Sequence, residues 1–471
     1  MPGLYASLNA SVSALDAQSL AVDTAGKNLA NVNNSSYARE TVNFGSLGTV
    51  QTANGPESMG LVALGVEQDR SSVLDSQVRD ENSLSSYYQT QQSAYQQAQA
   101  GLGQTVSSSS ATSSSSSSGG LGSAIDGLFN AFQSFASNPT DTGQRQALLG
   151  AASVLTAQLQ STDQNLAQVQ SGLNTEITSD VSTVNNLLGQ IANLNGQIAR
   201  FEAGNPGSAV DLRDQREADL EQLANKMPVT VTEGTNGEDQ ITASDTSGNP
   251  VVLVNLATVT GPVTYSGGQV SAGSPATVLG LSSGSIQGAI SASTGGVQTL
   301  RDNLNSLTNQ LVTSVNTVYN PTGATGDFFT STGTTAATIS LASGLNTSNL
   351  KASDGGAAGD NTVALGIAQL ANQQFTTASG DQIDGTFSGF YANSVSGFGQ
   401  TLADVNSQVT EQTNIQTLVT SQRDSLSGVS LDEEMANLLK YQNAFQASSR
   451  VFTTINDLLS NVVNTMGVGA A

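Results

Sequence analysis

Any chemistry in this chain would rest on carboxylates, lysines, tyrosines or a serine–lysine pair, because its 471 residues include no His and no Cys. Zinc, copper, haem and iron–sulfur sites built on imidazole or thiolate are excluded. So are Ser-His-Asp and Cys-His nucleophiles. The carboxylates open to a hydrolase are Asp354, Asp360, Asp381 and Asp384, and no spacing marks two of them as a glycosidase pair. The stretch Asp381-Gln382-Ile383-Asp384-Gly385 is short of the twelve-residue ligand set of a calcium loop and reads as an Asx turn. Asp211-Leu212-Arg213-Asp214-Gln215-Arg216-Glu217 alternates charge at helical spacing. It reads as exposed i,i+3 and i,i+4 pairs rather than a catalytic pair. Lys27 and Lys440 read as solvated lysines, and there is neither a P-loop nor a dinucleotide fingerprint. The expectation is a chain with no catalytic residue, no metal and no cofactor.

Charge and hydropathy narrow the partners. Lys plus Arg number 14 against 37 Asp plus Glu, a net charge of −23, which disfavours nucleic acid and anionic membrane surfaces. Charged residues make up 11%, against roughly 25% in an average soluble chain, so Ser, Thr, Asn, Gln and Gly must supply the polar surface. No apolar run reaches the length of a membrane span. The first residues, Met1-Pro2-Gly3-Leu4-Tyr5-Ala6-Ser7, lack the basic and apolar regions of a signal peptide.

The periodic elements lie at the two ends. Over residues 4–32, Leu8, Leu15, Val22 and Leu29 recur every seven residues, with Leu4, Val12, Ala25 and Val32 nearby on the same face. That period predicts a helix lying along another helix. Residues 431–466 repeat the pattern with Leu431, Leu438, Phe445, Phe452, Leu459 and Met466. Tyr441, Ile455 and Val462 fall at the intermediate positions, while Glu434 and Ser448 interrupt that second row. Ser430 and Glu433 have the spacing of a capping box, and Asp432, Glu433 and Glu434 suit the positive end of the helix dipole. The two ends are expected to pair with each other or with copies from neighbouring subunits.

Between them the pattern predicts polar helix over 66–105, helix over 121–137, a long helix over 141–203 and a shorter one over 211–225. From Met227-Pro228 the period changes to alternation with turn signals such as Asn236-Gly237, and strand-like pattern continues to about Ile290. A helix over 294–319 follows, then turns and short strands to 360, including 337–341, then helices over 361–375 and 385–425. The fold class is α+β, mainly α: long coiled-coil-like helices from both termini forming an inner layer and helical bundle, with a β-rich outer domain inserted in the middle. The expected domains are 1–60 plus 426–471, 61–226 plus 294–320 and 361–425, and a β-rich domain of 227–293 plus 321–360.

Two segments carry a family resemblance. Asn28-Leu29-Ala30-Asn31-Val32-Asn33-Asn34-Ser35-Ser36-Tyr37-Ala38-Arg39 resembles the motif after the first helix of bacterial flagellar rod, hook and hook-associated proteins. Residues 428–451, from Gly428-Val429-Ser430 through Ala447-Ser448-Ser449-Arg450-Val451, resemble the C-terminal helix of that group. Within it, Asp211-Leu212-Arg213-Asp214-Gln215-Arg216 and the run from Phe132 to Leu148 are similar to the FlgK family. Residues 231–380 resemble nothing specific.

The resemblance implies a non-catalytic structural protein of the hook–filament junction, exported to the flagellum outside the cell without a cleaved signal peptide. It implies as partners further copies of the chain, the hook protein, the second junction protein and an export chaperone on the C-terminal helix. The implied assembly interface is Leu8, Leu15, Val22, Leu29, Asn28, Asn31, Tyr37, Arg39, Leu431, Leu438, Tyr441, Phe445, Phe452 and Leu459. The rival readings are another axial protein, either the hook subunit or the second junction protein, and the carboxylate hydrolase above.

One segment stands apart: Ser107–Ser118, nearly all serine and closed by Gly119-Gly120. It offers no apolar anchor and no charge. Replacing it with a Gly-Ser linker of equal reach is expected to leave filament attachment and motility intact, scored by swimming assays.

Overall fold

The structure, a computed structural model, describes residues 2–34, 36–52, 55–103, 120–323, 326–355, 357 and 359–467; the Ser107–Ser118 run lies outside the described residues. The chain divides into two compact units, Met1–Leu84 with Val181–Gly284 and Gln412–Ala471, and Ser85–Asp180 with Ser285–Glu411.

The first unit holds both chain ends. Helix α1 spans Pro2–Ala30 and helix α10 spans Leu431–Gly467, and the two pack along each other. The last turns of α1 meet the first turn of α10, so the pair runs antiparallel. The buried stripe of α1 is made of small side chains: Ala17, Ala21 and Ala25 are almost fully buried, with Ser11, Thr24 and Asn28 beside them. Small residues let a helix approach its neighbours closely, and their own hydroxyls satisfy themselves on the preceding turn: Thr24 donates to Leu20 O at 2.9 Å.

After α1 the chain makes a β-ribbon. Strand β1 (Glu40–Ser46) pairs antiparallel with β4 (Leu61–Gln68), from Glu40↔Gln68 to Ser46↔Leu61, with a bulge at Asn43/Phe44. Between them β2 (Thr49–Thr52) and β3 (Gly55–Ser58) form a hairpin. A two-stranded ribbon is marginal alone; this one leans on α1. The approach is tight at Gly60, where φ is +106° and a Cβ would lie 2.8 Å from that of Ala10. Residues 66–68 were expected to be helical and are strand; α2 begins only at Ser72 and ends at Gly101. The physical reason is local: Leu61-Val62-Ala63-Leu64-Gly65-Val66 has the β-branched and apolar content of a strand, and Gln68 is tied into its ladder.

The rest of the unit is the end of α4 (Thr142–Glu202), α5 (Val210–Lys226) and the β region. There β5 (Thr230–Glu233), β6 (Asp239–Ser244), β7 (Pro250–Asn255) and β8 (Thr258–Val259) form an antiparallel sheet in sequence order. Strands β9 (Thr264–Ser266), β10 (Gln269–Ala272) and β11 (Thr277–Val278) form a second, smaller sheet. Ile241, Leu253 and Val254 are fully buried.

The second unit is a helical core filled by aromatic rings. It contains α3 (Leu121–Ser137), α7 (Gly296–Tyr319) and α8 (Thr362–Gln369), most of α6 (Gly284–Thr294) and most of α9 (Phe387–Ser427). Phe132 and Phe328 lie 5.1 Å apart, Phe328 and Phe329 4.9 Å, and Phe129 stacks on Phe387 at 5.5 Å. Arg301 reaches Asp163 through Nε at 2.9 Å and Gln170 through Nη1 at 2.7 Å.

Two expectations in this region fail. Residues 284–290 are helix, not strand, because Ile286, Ala289 and Ala292 recur at helical spacing and are buried. Residues 337–341 make a single bridge, Phe329↔Leu341, since the turn in which Thr338 N donates to Thr335 O leaves no length for a strand. Phe132→Ala should destabilise this unit by about 3–5 kcal/mol, the cost of truncating a fully buried ring. Calorimetry of the full chain checks it.

Candidate assembly site

One asparagine sits at the junction of the two terminal helices. Asn28, in the last turns of α1 and 1% exposed, uses both ends of its amide. Its Nδ2 donates to Glu40 O at 2.8 Å and to Glu434 Oε2 at 3.1 Å. Its Oδ1 accepts from the Tyr37 hydroxyl at 2.8 Å and from Glu40 N at 3.0 Å. The amide thus ties together the helix, the turn that leaves it, the first strand and the far end of the chain. The other Glu434 oxygen accepts from Arg39 Nε at 2.9 Å, and Arg39 Nη1 lies 3.4 Å from Glu433. Arg39 N donates to Ser427 O at 2.8 Å, just before α10 starts.

Glu434 is 3% exposed, among the most deeply buried residues of α10. The heptad reading treats it as an interruption of the seam, and as an uncompensated charge it would be one. The fold makes it a lock, because an amide and a guanidinium saturate both oxygens. Asn31 acts only locally, where its Nδ2 donates to Lys27 O at 3.0 Å and closes the end of α1.

A second layer of charge backs the lock. Asp214 of α5 accepts from Arg70 Nη2 at 2.7 Å, Gln68 Nε2 at 2.8 Å and Ala38 N at 3.4 Å. Arg70 also reaches Asp75 Oδ2 at 3.2 Å and Ser36 O at 2.9 Å. Arg79 pairs with Glu217, and Arg216 Nε with Asp239 at 2.9 Å. This overturns the expectation that Asp214, Arg216 and Glu217 are exposed surface pairs: each is 8% exposed or less, and each partner lies on another element. Helical spacing gave the right helix and the wrong environment, because a charged face reads the same whether water or buried counter-charges cover it. Lys27 meets the expectation of a solvated lysine, exposed and 3.5 Å from Asp211.

Burial pushes the Glu40 carboxyl up to about 7, opposed by Lys27 and reinforced by Asp211 and Asp214. Burial also raises the Tyr37 hydroxyl, Asp75 and Asp214.

The apolar interface candidates sit on the flanks. Leu8, Leu15, Val22 and Leu29 are half-buried, beside the alanine stripe rather than on it. On α10, Leu438, Tyr441, Phe452 and Leu459 are half-buried, and Tyr441 packs against Phe44 with ring centroids 6.2 Å apart. Leu431 and Phe445 are exposed, as are Met435, Leu439, Val451 and Leu458.

The hydrolase carboxylates serve turns: Asp381 Oδ2 accepts from Thr376 N at 2.9 Å, Asp384 Oδ1 from Thr377 N at 2.8 Å and Asp360 Oδ1 from Thr362 N at 3.1 Å. Asp354 is exposed. Among the described residues no group of three acidic side chains is placed to hold a metal ion, and no helix is long and apolar enough to cross a membrane.

Sequence reasoning missed Glu40, Gln68, Arg70, Asp75, Arg79 and Glu434 as members of this site. The usable signal was scarcity: in a chain with 14 cations, Arg39, Arg70 and Arg79 fall within about forty residues.

The described geometry is that of antiparallel terminal helices with a ribbon on the first of them and a charged lock at their junction, and comparison with known proteins places such a chain among the axial proteins of the bacterial flagellum. Residues 420–466 match the model of the flagellar basal body rod FlgEFG protein C-terminal region, and residues 108–329 match that of the flagellar hook-associated protein FlgK helical domain. Flagellar hook-associated protein 1 of Bacillus subtilis is 25% identical over 524 aligned positions, covering 100% of both chains. Its counterpart in Salmonella typhimurium is 29% identical over 231 positions, 48% of this chain and 39% of that one. The solved structure of the flagellar hook junction protein FlgK from Burkholderia pseudomallei superposes with a TM-score of 0.62 at 14% identity, over 75% of this chain and 100% of that one. Within the axial class, the similarity is to the FlgK hook-associated proteins, by the helical-domain model over residues 108–329 and by the Bacillus subtilis relative over the whole chain.

Glu434→Ala removes the acceptor shared by Asn28 and Arg39. The orphaned donors should cost about 1–3 kcal/mol. Amide exchange should rise in α1 and α10 and stay unchanged in α3 and α7, read by mass spectrometry of the full chain.

Proposed function

We propose that this chain is the structural piece joining the flagellar hook to the filament, assembling as a ring or helical turn of identical subunits through its paired terminal helices. The observation that carries the reading is the helix pair. Its two helices come from opposite ends of the chain, are clamped at Asn28, Arg39 and Glu434, and leave Leu431, Met435, Leu439 and Phe445 exposed on α10. A head-to-tail contact between identical subunits that does not close on itself builds a helical array. The relatives named above are flagellar structural proteins, and the chain's role is structural, with no catalytic step.

The interface comprises the half-buried flanks Leu8, Leu15, Val22 and Leu29 together with Leu431, Leu438, Tyr441, Phe445, Phe452 and Leu459. Its neighbours are copies of the chain, the hook protein on one side and the second junction protein on the other. An export chaperone covers the exposed face of α10 before assembly, and the chain leaves the cell through the flagellar export path without a cleaved signal peptide.

Electron microscopy of cells lacking the gene tests the reading: hooks without filaments and filament subunits shed into the medium are expected, and normal filaments would overturn it. Leu15→Asp and, separately, Leu438→Asp should block filament attachment while leaving α3 and α7 folded. A carboxylate forced into an apolar contact costs several kcal/mol. Complementation of the same cells, with circular dichroism of the purified variants, measures both effects.

A further inference from the structure

Glu40 is the one member of the lock whose side chain bonds to nothing in it. Its backbone is fully used, N–H and carbonyl both bonded to Asn28. The residue is 2% exposed, and neither oxygen of its buried carboxyl has a hydrogen-bond partner. A charge stranded in this way is costly, and the group responds by holding its proton.

The charges around it come from every element packed against it. On α1 stands Lys27, shared with Asp211. The turn brings the Tyr37 hydroxyl, and Arg39, whose guanidinium is taken by Glu433 and Glu434. On α5 stand Asp211 and Asp214. On β4 its ladder partner Gln68 gives its amide to Asp214, with Glu67 and Asp69 on either side. On α10 Glu434 lies across Asn28. Acidic groups outnumber the cations available to answer them.

We propose that the Glu40 carboxyl is a proton-controlled latch on the terminal helix pair: neutral, it lets Asn28 close onto Glu434 and Tyr37; ionised, it weakens that closure. The latch is independent of the junction reading, since it concerns the pair within one chain.

The sign follows from linkage. The closed site holds the proton up to about 7, whereas the ordinary value is 4.5. Below the ordinary value both states are neutral, and closure is at its strongest. Between the two values the open state is ionised and the closed state is not, so closure weakens about tenfold per pH unit. Above about 7 both are ionised, and the dependence flattens.

The absence of cysteine makes the test direct. Ser19→Cys on α1 and Asn443→Cys on α10, both at exposed positions, carry spin labels whose separation reports the closed fraction in the full chain. From pH 5.5 to 6.5 the closed-to-open ratio should fall about tenfold and level off above 7. Glu40→Gln should abolish that slope, and Asp432→Asn, an exposed carboxylate on α10, should leave it. A parent with no slope, or a slope that persists in Glu40→Gln, overturns the proposal. If Glu40→Gln fails to close at any pH, carboxyl NMR of the 13C-glutamate-labelled parent decides, with Glu40→Asp identifying the resonance. Titration near 7 supports the latch, and titration near 4.5 overturns it.

Discussion

A carboxylate on a helix seam is tolerable only if its oxygens are saturated, and in this chain that constraint falls on Glu434. Its partners, Asn28 and Arg39, lie about 400 residues away in sequence and flank the first turn after α1. Satisfying one buried charge therefore fixes where the chain's beginning meets its end. Asn28 is suited to this because a single amide presents both donors and an acceptor, and here it serves four groups at once. An aliphatic side chain in its place would pack but would bind none of them.

The rest of the first unit distributes cations to support that point. Arg70, Arg79 and Arg216 each answer at least one buried carboxylate, in a molecule with a net charge of −23. Such pairs add little net stability relative to an apolar core, but removing one partner is expensive. They therefore specify an arrangement more than they strengthen it. The second unit works differently: its core is aromatic rings and leucines, with Arg301–Asp163 as a polar insertion, and dispersion and hydrophobic burial hold it.

The terminal pair shows the contrast most clearly: it is held through small residues and directional polar bonds, while large side chains such as Leu431, Met435, Leu439 and Phe445 stay exposed.

Much of this was legible in the residues. The heptads at both ends predicted long helices, and the apolar spacing at 121–137 and 141–203 predicted α3 and α4, because helix periodicity is a local property. The absence of His and Cys settled which chemistries are excluded. The motif from Asn28 to Arg39 pointed to the right family. What stayed hidden was decided by partners distant in sequence. The ribbon at 40–68 leans on α1 for support, and only its last strand, Leu61–Gln68, carries a strand-like apolar run of its own. The heptad leucines flank the buried stripe of α1, because close approach favours Ala17, Ala21 and Ala25, which hydrophobicity alone ranks lower. Glu434 read as a flaw and Asp214, Arg216 and Glu217 as surface. Sequence determines which side chains carry charge. Only the tertiary structure decides whether water or a counter-charge faces each one, since that depends on residues brought together from across the chain.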